Sequence, residues 1–293
     1  MAVAAPAVRA KRAVAMWKGI HLPKAATMLT YLGVAVITLW IVLPMVYVIG
    51  SSFSTQGGAG TLSNYAGVLG GHTRSVGYGS IATGKDLLPA IGHSFLVAGM
   101  LVVVDLLVAG LCAYGISRFD FRGGRAVYLG MVAARVVPAI AIVGPFFLVF
   151  RKLDILNTPW ALVISYNVFT LPLAVMVLKN YFDQLPRSLE ESAMIDGASR
   201  LKTMYLVAAP LARPGITAVG VLVFLEAWSE FFYSLVLTNQ LTVPPLLAGF
   251  QSTVQFNWNA LAAATVLAVI PPVVLAMVFQ RNIVAALVSG HER

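Results

Sequence analysis

Apolar residues gather into six long runs, near residues 27–50, 90–117, 126–150, 159–179, 217–238 and 260–281, with polar and glycine-rich stretches between them. A helix rising about 1.5 Å per residue needs roughly 20 apolar residues to cross a hydrocarbon core, and each run reaches that length. Six transmembrane helices are therefore expected, and an all-α membrane protein as the fold class. Pro44, Pro138, Pro145, Pro172, Pro271 and Pro272 fall inside the runs. Lipid tolerates them, because neighbouring helices re-satisfy the carbonyls that proline frees. The first run follows Arg9, Lys11, Arg12, Lys18 and Lys24 as a signal peptide would, but its length and its lack of a small-x-small cleavage site fit a retained span.

Composition agrees with the pattern. Of 293 residues, 59% are hydrophobic and 11% charged, against about 25% charged in a soluble domain. The net charge of +9 sits in residues that flank apolar runs instead of clustering with aromatics on one face, which argues against a nucleic-acid partner. It sets topology instead. With the N-terminus inside, fifteen Lys and Arg are cytoplasmic: Arg9, Lys11, Arg12, Lys18, Lys24, Arg118, Arg122, Arg125, Lys179, Arg187, Arg200, Lys202, Arg213, Arg281 and Arg293. Arg74, Lys85, Arg151 and Lys152 fall outside, and Arg135 lies within the third run. That asymmetry follows the positive-inside rule. The expected organisation is a cytoplasmic tail over 1–26, a first span over 27–50, an extracytoplasmic loop over 51–89, a core over 90–281 with five spans and a cytoplasmic segment 183–216, and a cytoplasmic tail over 282–293. A second outer loop, 239–258, carries no charge.

Little classical catalytic chemistry survives inspection. The single cysteine, Cys112, excludes a disulfide framework and a multi-thiol metal site. His21, His72, His93 and His291 are scattered, leaving no metal cluster and no base for a serine nucleophile. GSIATGKD at 79–86 has the G-x4-G-K spacing of a phosphate-binding loop, yet Asp86 stands where a hydroxyl must bind magnesium, and topology puts it outside.

One polar strip stands apart, EESAMIDGASRLKTMYLVAAP at 190–210. Ser188 and Glu191 have capping-box spacing, so a helix should start there, with Glu190 and Glu191 at its positive end. Asp196-Gly197 offers a left-handed stop, and a second short helix from about Arg200 to Ala209 should close at Pro210. Ser192, Ala193 and Met194 present small or flexible surfaces. Physics alone leaves two readings open, an amphipathic connector resting on lipid headgroups or a docking element for another protein.

The spacing E-S-A-x3-G-x9-V-x-A-P, from Glu191 through Gly197 to Pro210, resembles the EAA signature (E-A-A-x3-G-x9-I-x-L-P) of permease subunits of binding-protein-dependent ABC importers. Ser192, Val207 and Ala209 depart from it in single side chains, the last affecting the packing of the second helix. YGISRFDFRGG at 114–124, FRKLDILNTPWALV at 150–163, WSEFFYSLVLT at 228–238 and FQRNIVAALVSG at 279–290 resemble its carbohydrate branch, in particular the second permease of the maltose importer. The resemblance implies a type I importer (MetI-like) bundle in a bacterial inner membrane. It implies as partners a second permease, an ATPase dimer that holds the ATP and magnesium, and an extracytoplasmic sugar-binding protein, with no cofactor on this chain and no enzymatic activity of its own. It places ATPase coupling on Glu190, Glu191, Ser192, Ala193, Met194, Asp196, Gly197, Ala198 and Pro210. A di- or oligosaccharide is the implied cargo, with a glycerol phosphodiester or another polar solute as the alternative.

Four ionisable residues lie within the runs, and an unpaired charge at mid-bilayer costs roughly 2.5–3.5 kcal/mol on insertion scales. Asp105 and Arg135 fall at similar depth on adjacent antiparallel spans and are expected to form an ion pair. Glu226 and Glu230 are spaced i, i+4, and their repulsion suggests that one of them pairs with Arg135 or with another subunit. Together with Tyr166, Asn167, Trp228, Ser229 and Tyr233 they are candidates for a sugar pathway, against ordinary aromatic packing. Two rivals use the same residues differently. Asp105, Glu226 and Glu230 could carry ions through a secondary transporter, and a membrane-embedded enzyme would show activity without partners.

Overall fold

The computed structural model of the chain describes residues 24–54, 62–70, 86–250 and 257–288, and all regular structure among them is helical. In chain order α1 is Lys24–Ser52, α2 Ser63–Gly70, α3 Leu87–Arg118, α4 Gly124–Ala134, α5 Ala139–Lys152, α6 Pro159–Gln184, α7 Arg187–Ile195, α8 Arg200–Leu211, α9 Arg213–Ser229, α10 Phe232–Leu237, α11 Val243–Gly249 and α12 Trp258–Val288. The N-terminal tail, most of the GSIATGKD stretch, residues 251–256 and the end of the chain lie outside the described residues.

Residues up to Gly50 and the remainder form two separate compact units. The first is dominated by α1, an apolar helix with Pro44 inside it and none of its most apolar window buried within the chain. A helix apolar on every side is what lipid selects.

In the second unit α3 packs along α6 and α9, and α9 also packs along α12. Small residues permit the approach: Ala98, Ala109 and Ala113 of α3 share one buried core cluster with Ala161 and Ala174 of α6 and Ala227 of α9. Such residues let backbones come close where lipid supplies no hydrophobic drive between helices. At Gly215 the approach is closer still, since a Cβ built there would lie 2.4 Å from the Tyr181 ring. α6 starts where its sequence says it should, with Thr158 as N-cap accepting from the Ala161 N–H at 3.4 Å and Pro159 in the first turn.

Among the described residues four helices, Thr27–Ser52, Leu87–Arg118, Pro159–Gln184 and Trp258–Asn282, are long and apolar enough to cross a membrane, and there are up to six spans if each of two bent pairs counts as one. The third expected span, 126–150, is thus not one straight helix. α4 and α5 meet at 98°, because tight turns end α4 at Val136 and Val137 and extended Pro138 follows. Proline drives the residue before it out of the helical region and offers no N–H to continue the ladder. α8 and α9 bend by 81°. The fifth expected span, 217–238, stops as a helix at Ser229; Glu230 is extended, and its carboxylate accepts from the N–H groups of Tyr233 at 3.0 Å and Ser234 at 3.3 Å to start α10. The two expected outer loops hold α2 and α11, whose Val68 and Leu246 are buried in a second cluster with Leu87, Ala260 and Ala263.

Candidate functional site

The polar strip is fastened to the helix core by one carboxylate. Tyr114 and Arg118 lie one turn apart near the C-terminal end of α3, on the face turned toward α7. Glu190, in the first turn of α7, accepts from the Tyr114 hydroxyl at 2.7 Å through Oε2, and from Arg118 Nε at 2.8 Å and Nη2 at 2.7 Å through Oε1. The Arg118 and Glu190 side chains are only 5% and 6% exposed, so the cost of desolvating them is met by three charge-assisted bonds. Arg118 also donates to the Leu185 carbonyl at 3.3 Å, capping the end of α6. Ser117 Oγ donates to Asp183 at 2.7 Å, Lys179 pairs with the same carboxylate at 2.6 Å, and Arg187 reaches back to the Ser117 carbonyl at 3.4 Å. The ends of α3 and α6 and the start of α7 are thereby one hydrogen-bonded body.

The helix boundaries correct two expectations. α7 begins at Arg187 behind extended Pro186, so the Ser188–Glu191 capping box is not formed, and the Ser188 carbonyl instead accepts from Ser192 Oγ at 2.9 Å. Proline had already set the entry angle, which placed Ser188 inside the first turn. α8 does not close at Pro210 but runs to Leu211 through a π turn at Met204–Ala208. The widened turn accommodates the proline ring that an α-helix would reject. Between them, Gly197 takes φ +88° as expected. The Ala198 N–H reaches the Ala193 carbonyl at 3.0 Å and that of Gly197 reaches Met194 at 3.1 Å, a Schellman stop. Nothing lies within 4 Å of where a Cβ would sit on Gly197, so glycine is required there by conformation and not by space. Ser199 then caps α8, accepting from the Lys202 N–H at 3.3 Å.

Glu191, Ser192 and Asp196 are exposed, and Ala193, Met194 and Ala198 are half-buried. The strip also shows apolar side chains to its surroundings: Leu189, Leu201, Tyr205 and Leu206 are exposed, and Ile195 is 86% exposed. Two adjacent glutamates therefore face opposite ways, Glu190 into the core and Glu191 outward.

The candidate pathway residues divide. Tyr166, Glu226 and Glu230 line one small cavity of about 40 Å³ with Phe169, Thr170 and Ala227, room for about one water molecule. The Tyr166 hydroxyl is buried beside the Glu230 carboxylate, with no well-formed hydrogen bond to any of the described residues. Glu226 and Glu230 do not share a helix face, because α9 has ended between them. The other candidates are committed elsewhere. Asn167 donates to the Val163 carbonyl at 2.9 Å and Ser229 to those of Leu225 and Glu226. Trp228 stacks on Phe224 with ring centroids 5.5 Å apart, and Tyr233 is buried among Phe146, Tyr166 and Phe169.

The expected Asp105–Arg135 ion pair is not present. Arg135, at the α4–α5 break, donates instead to Glu226 at 3.2 Å. Asp105 is fully buried, and neither carboxylate oxygen has a hydrogen-bond partner among the described residues. Thr170 lies beside it but gives its hydroxyl to the Tyr166 carbonyl at 3.1 Å. Of the expectations for Arg135, pairing with one of Glu226 and Glu230 is the one that holds.

Residues 105–289 match the family described as binding-protein-dependent transport system inner membrane component. The chain belongs to that family. Its similar relatives include the trehalose/maltose transport system permease protein of Thermococcus litoralis, 37% identical over 202 residues that cover 68% of this chain and 73% of the relative. The diacetylchitobiose uptake system permease protein of Streptomyces coelicolor is 30% identical, covering 88% and 87% of the two chains. In fold the chain is similar to a bacterial ABC transporter involved in alginate import, with a TM-score of 0.72 over 88% of this chain and 96% of the other at 20% identity. The family match takes in the Glu190 anchor, the cavity and both helix breaks. Tyr114 and Arg118 were within reach of the sequence, inside YGISRFDFRGG at i, i+4 spacing, but their shared partner, 76 and 72 residues away, could only be read from the fold. Thr170 and Phe169 carried no signal at all.

Proposed function

We propose that this membrane permease forms half of the pathway of an ATP-driven importer of a disaccharide-sized carbohydrate, and that α7–α8 dock on a separate ATPase subunit. The observation that carries this reading is the strip's two-sidedness. One face is locked to α3 by Glu190, while the other exposes Ile195, Leu189 and Leu201 on an otherwise polar segment. Water selects against such apolar exposure unless a partner covers it. The similar permeases act on trehalose, maltose and diacetylchitobiose, which supports a disaccharide as cargo. A second permease completes the pathway, an ATPase dimer supplies ATP and magnesium, and an extracytoplasmic binding protein delivers the sugar. Both chain termini and α7–α8 lie in the cytoplasm, in keeping with the positive-inside count.

A rigid α7 suits transmission: closure of the ATPases pushes α7, and the Glu190–Arg118 body passes the displacement to α3 and α6. The α4–α5 and α8–α9 bends are natural hinges for the bundle to rearrange between inward and outward access. The test is uptake of labelled maltose, trehalose and chitobiose into vesicles carrying both permeases and the binding protein, with and without the ATPase. Uptake should require ATP and the ATPase. Ion-gradient-driven uptake without them would replace this reading with a secondary transporter.

A further inference from the structure

Three charged side chains lie at one depth on three different elements. Asp105 is thirteen residues from the end of α3 at Arg118, Glu226 thirteen from the start of α9 at Arg213, and Arg135 eleven from the start of α4 at Gly124. At about 1.5 Å per residue these are about 20, 20 and 17 Å into the bundle from the same side. One guanidinium therefore lies at the level of two carboxylates, and only one of them is paired with it. The satisfied pair is held loosely: a single contact of 3.2 Å, with side chains 34% and 39% exposed. The unsatisfied one is the opposite, 0% exposed with both oxygens lacking a partner among the described residues. Arg135 itself sits on the 98° break between α4 and α5, the sharper of the two bent spans. A buried carboxylate without a partner is costly; Glu226 lies within electrostatic reach of Asp105, and the cation that Glu226 holds at the hinge is a group able to relieve it.

We propose that Arg135 is a counter-ion that changes partner during transport, held by Glu226 in the conformation described and by Asp105 after α4 and α5 rearrange. Each conformation leaves one carboxylate without its cation, so the two pairings compete, and the bundle has two discrete arrangements of similar energy instead of one deep minimum. Glu226 also lines the small cavity with Tyr166 and Glu230. Release of Arg135 frees its carboxylate toward that cavity in the alternate state, which ties the exchange to the pathway. The proposal rests on the importer reading above.

The experiment uses the complete complex in lipid, with Cys112 replaced by Ser and cysteine pairs placed at 135 and 226 or at 105 and 135. Each pair is treated with a short bifunctional cross-linker in the nucleotide-free and in the ATP-trapped, hydrolysis-arrested complex. The 135–226 pair should cross-link in one state and the 105–135 pair in the other, with yields reversing by about tenfold, the population shift a transport cycle requires. Equal yields in both states, while the Cys112→Ser parent still imports sugar with ATP, overturn the exchange and leave the importer reading intact. Loss of ATP dependence in the parent itself overturns the reading. Should the paired variants not assemble, Asp105→Asn and Asp105→Glu decide. Uptake that falls to about a tenth or less in the first and is largely retained in the second supports the exchange, and equal uptake in the two contradicts it.

Discussion

Two charged clusters on the same helix are built to opposite specifications. At the C-terminal end of α3, Glu190 takes three short bonds from Tyr114 and Arg118 and is shut away from water. Some 20 Å further along, Asp105 takes none, and its neighbour Glu226 shares one long bond with Arg135. Full satisfaction makes a polar network rigid, and partial satisfaction leaves it ready to rearrange. Under the importer proposal the contrast divides the labour: the α3–α7 clamp is the part to transmit a push without absorbing it, and the interior cluster the part where the bundle yields.

Breaking the clamp should have the largest effect. Glu190→Ala strands a buried guanidinium, and removing one partner of a buried pair costs about 3–5 kcal/mol. The purified variant should lose thermal stability by that order, and ATP-driven uptake should vanish even where membrane insertion persists. Tyr114→Phe removes one charge-assisted bond and keeps the ion pair, for about 1.5–3 kcal/mol. Thermal melts of the detergent-solubilised chain would place it between Glu190→Ala and the parent. Gly197→Val tests the bend alone, since no neighbour obstructs a side chain there. Forcing a β-branched residue to φ +88° costs about 1–2 kcal/mol, and sugar-stimulated ATP hydrolysis should fall far more than stability does. Glu226→Gln should be the mildest for folding, since the released Arg135 has Asp105 to turn to, while slowing uptake. A melting loss as large as that of Glu190→Ala would erase the distinction between the two clusters.

The sequence reached the clamp and the interior cluster unequally. Apolar runs located the spans, and the Asp196-Gly197 stop and the 190–210 strip were legible because short-range rules of helix termination act on adjacent residues. What periodicity could not supply was where long helices break. Pro138 and Glu230 fall within apolar runs that read as continuous, and only packing decides whether such a residue kinks a helix or ends it. Spacing left Arg135 with competing partners, Asp105 or one of Glu226 and Glu230, and the fold gives it to Glu226. Glu190 and Glu191 were likewise indistinguishable from spacing, since which of the two turns inward depends on Tyr114 and Arg118 arriving from another helix. Pro210 misled for a local reason, a π turn that no residue pattern announces.

The most direct test of coupling is at Ile195, the most exposed apolar side chain of the strip. A photo-reactive amino acid at position 195, irradiated in the assembled transporter, should give a covalent adduct with the ATPase subunit, in the absence as well as the presence of nucleotide. Adducts to lipid alone, in complexes that still import sugar, would contradict the account.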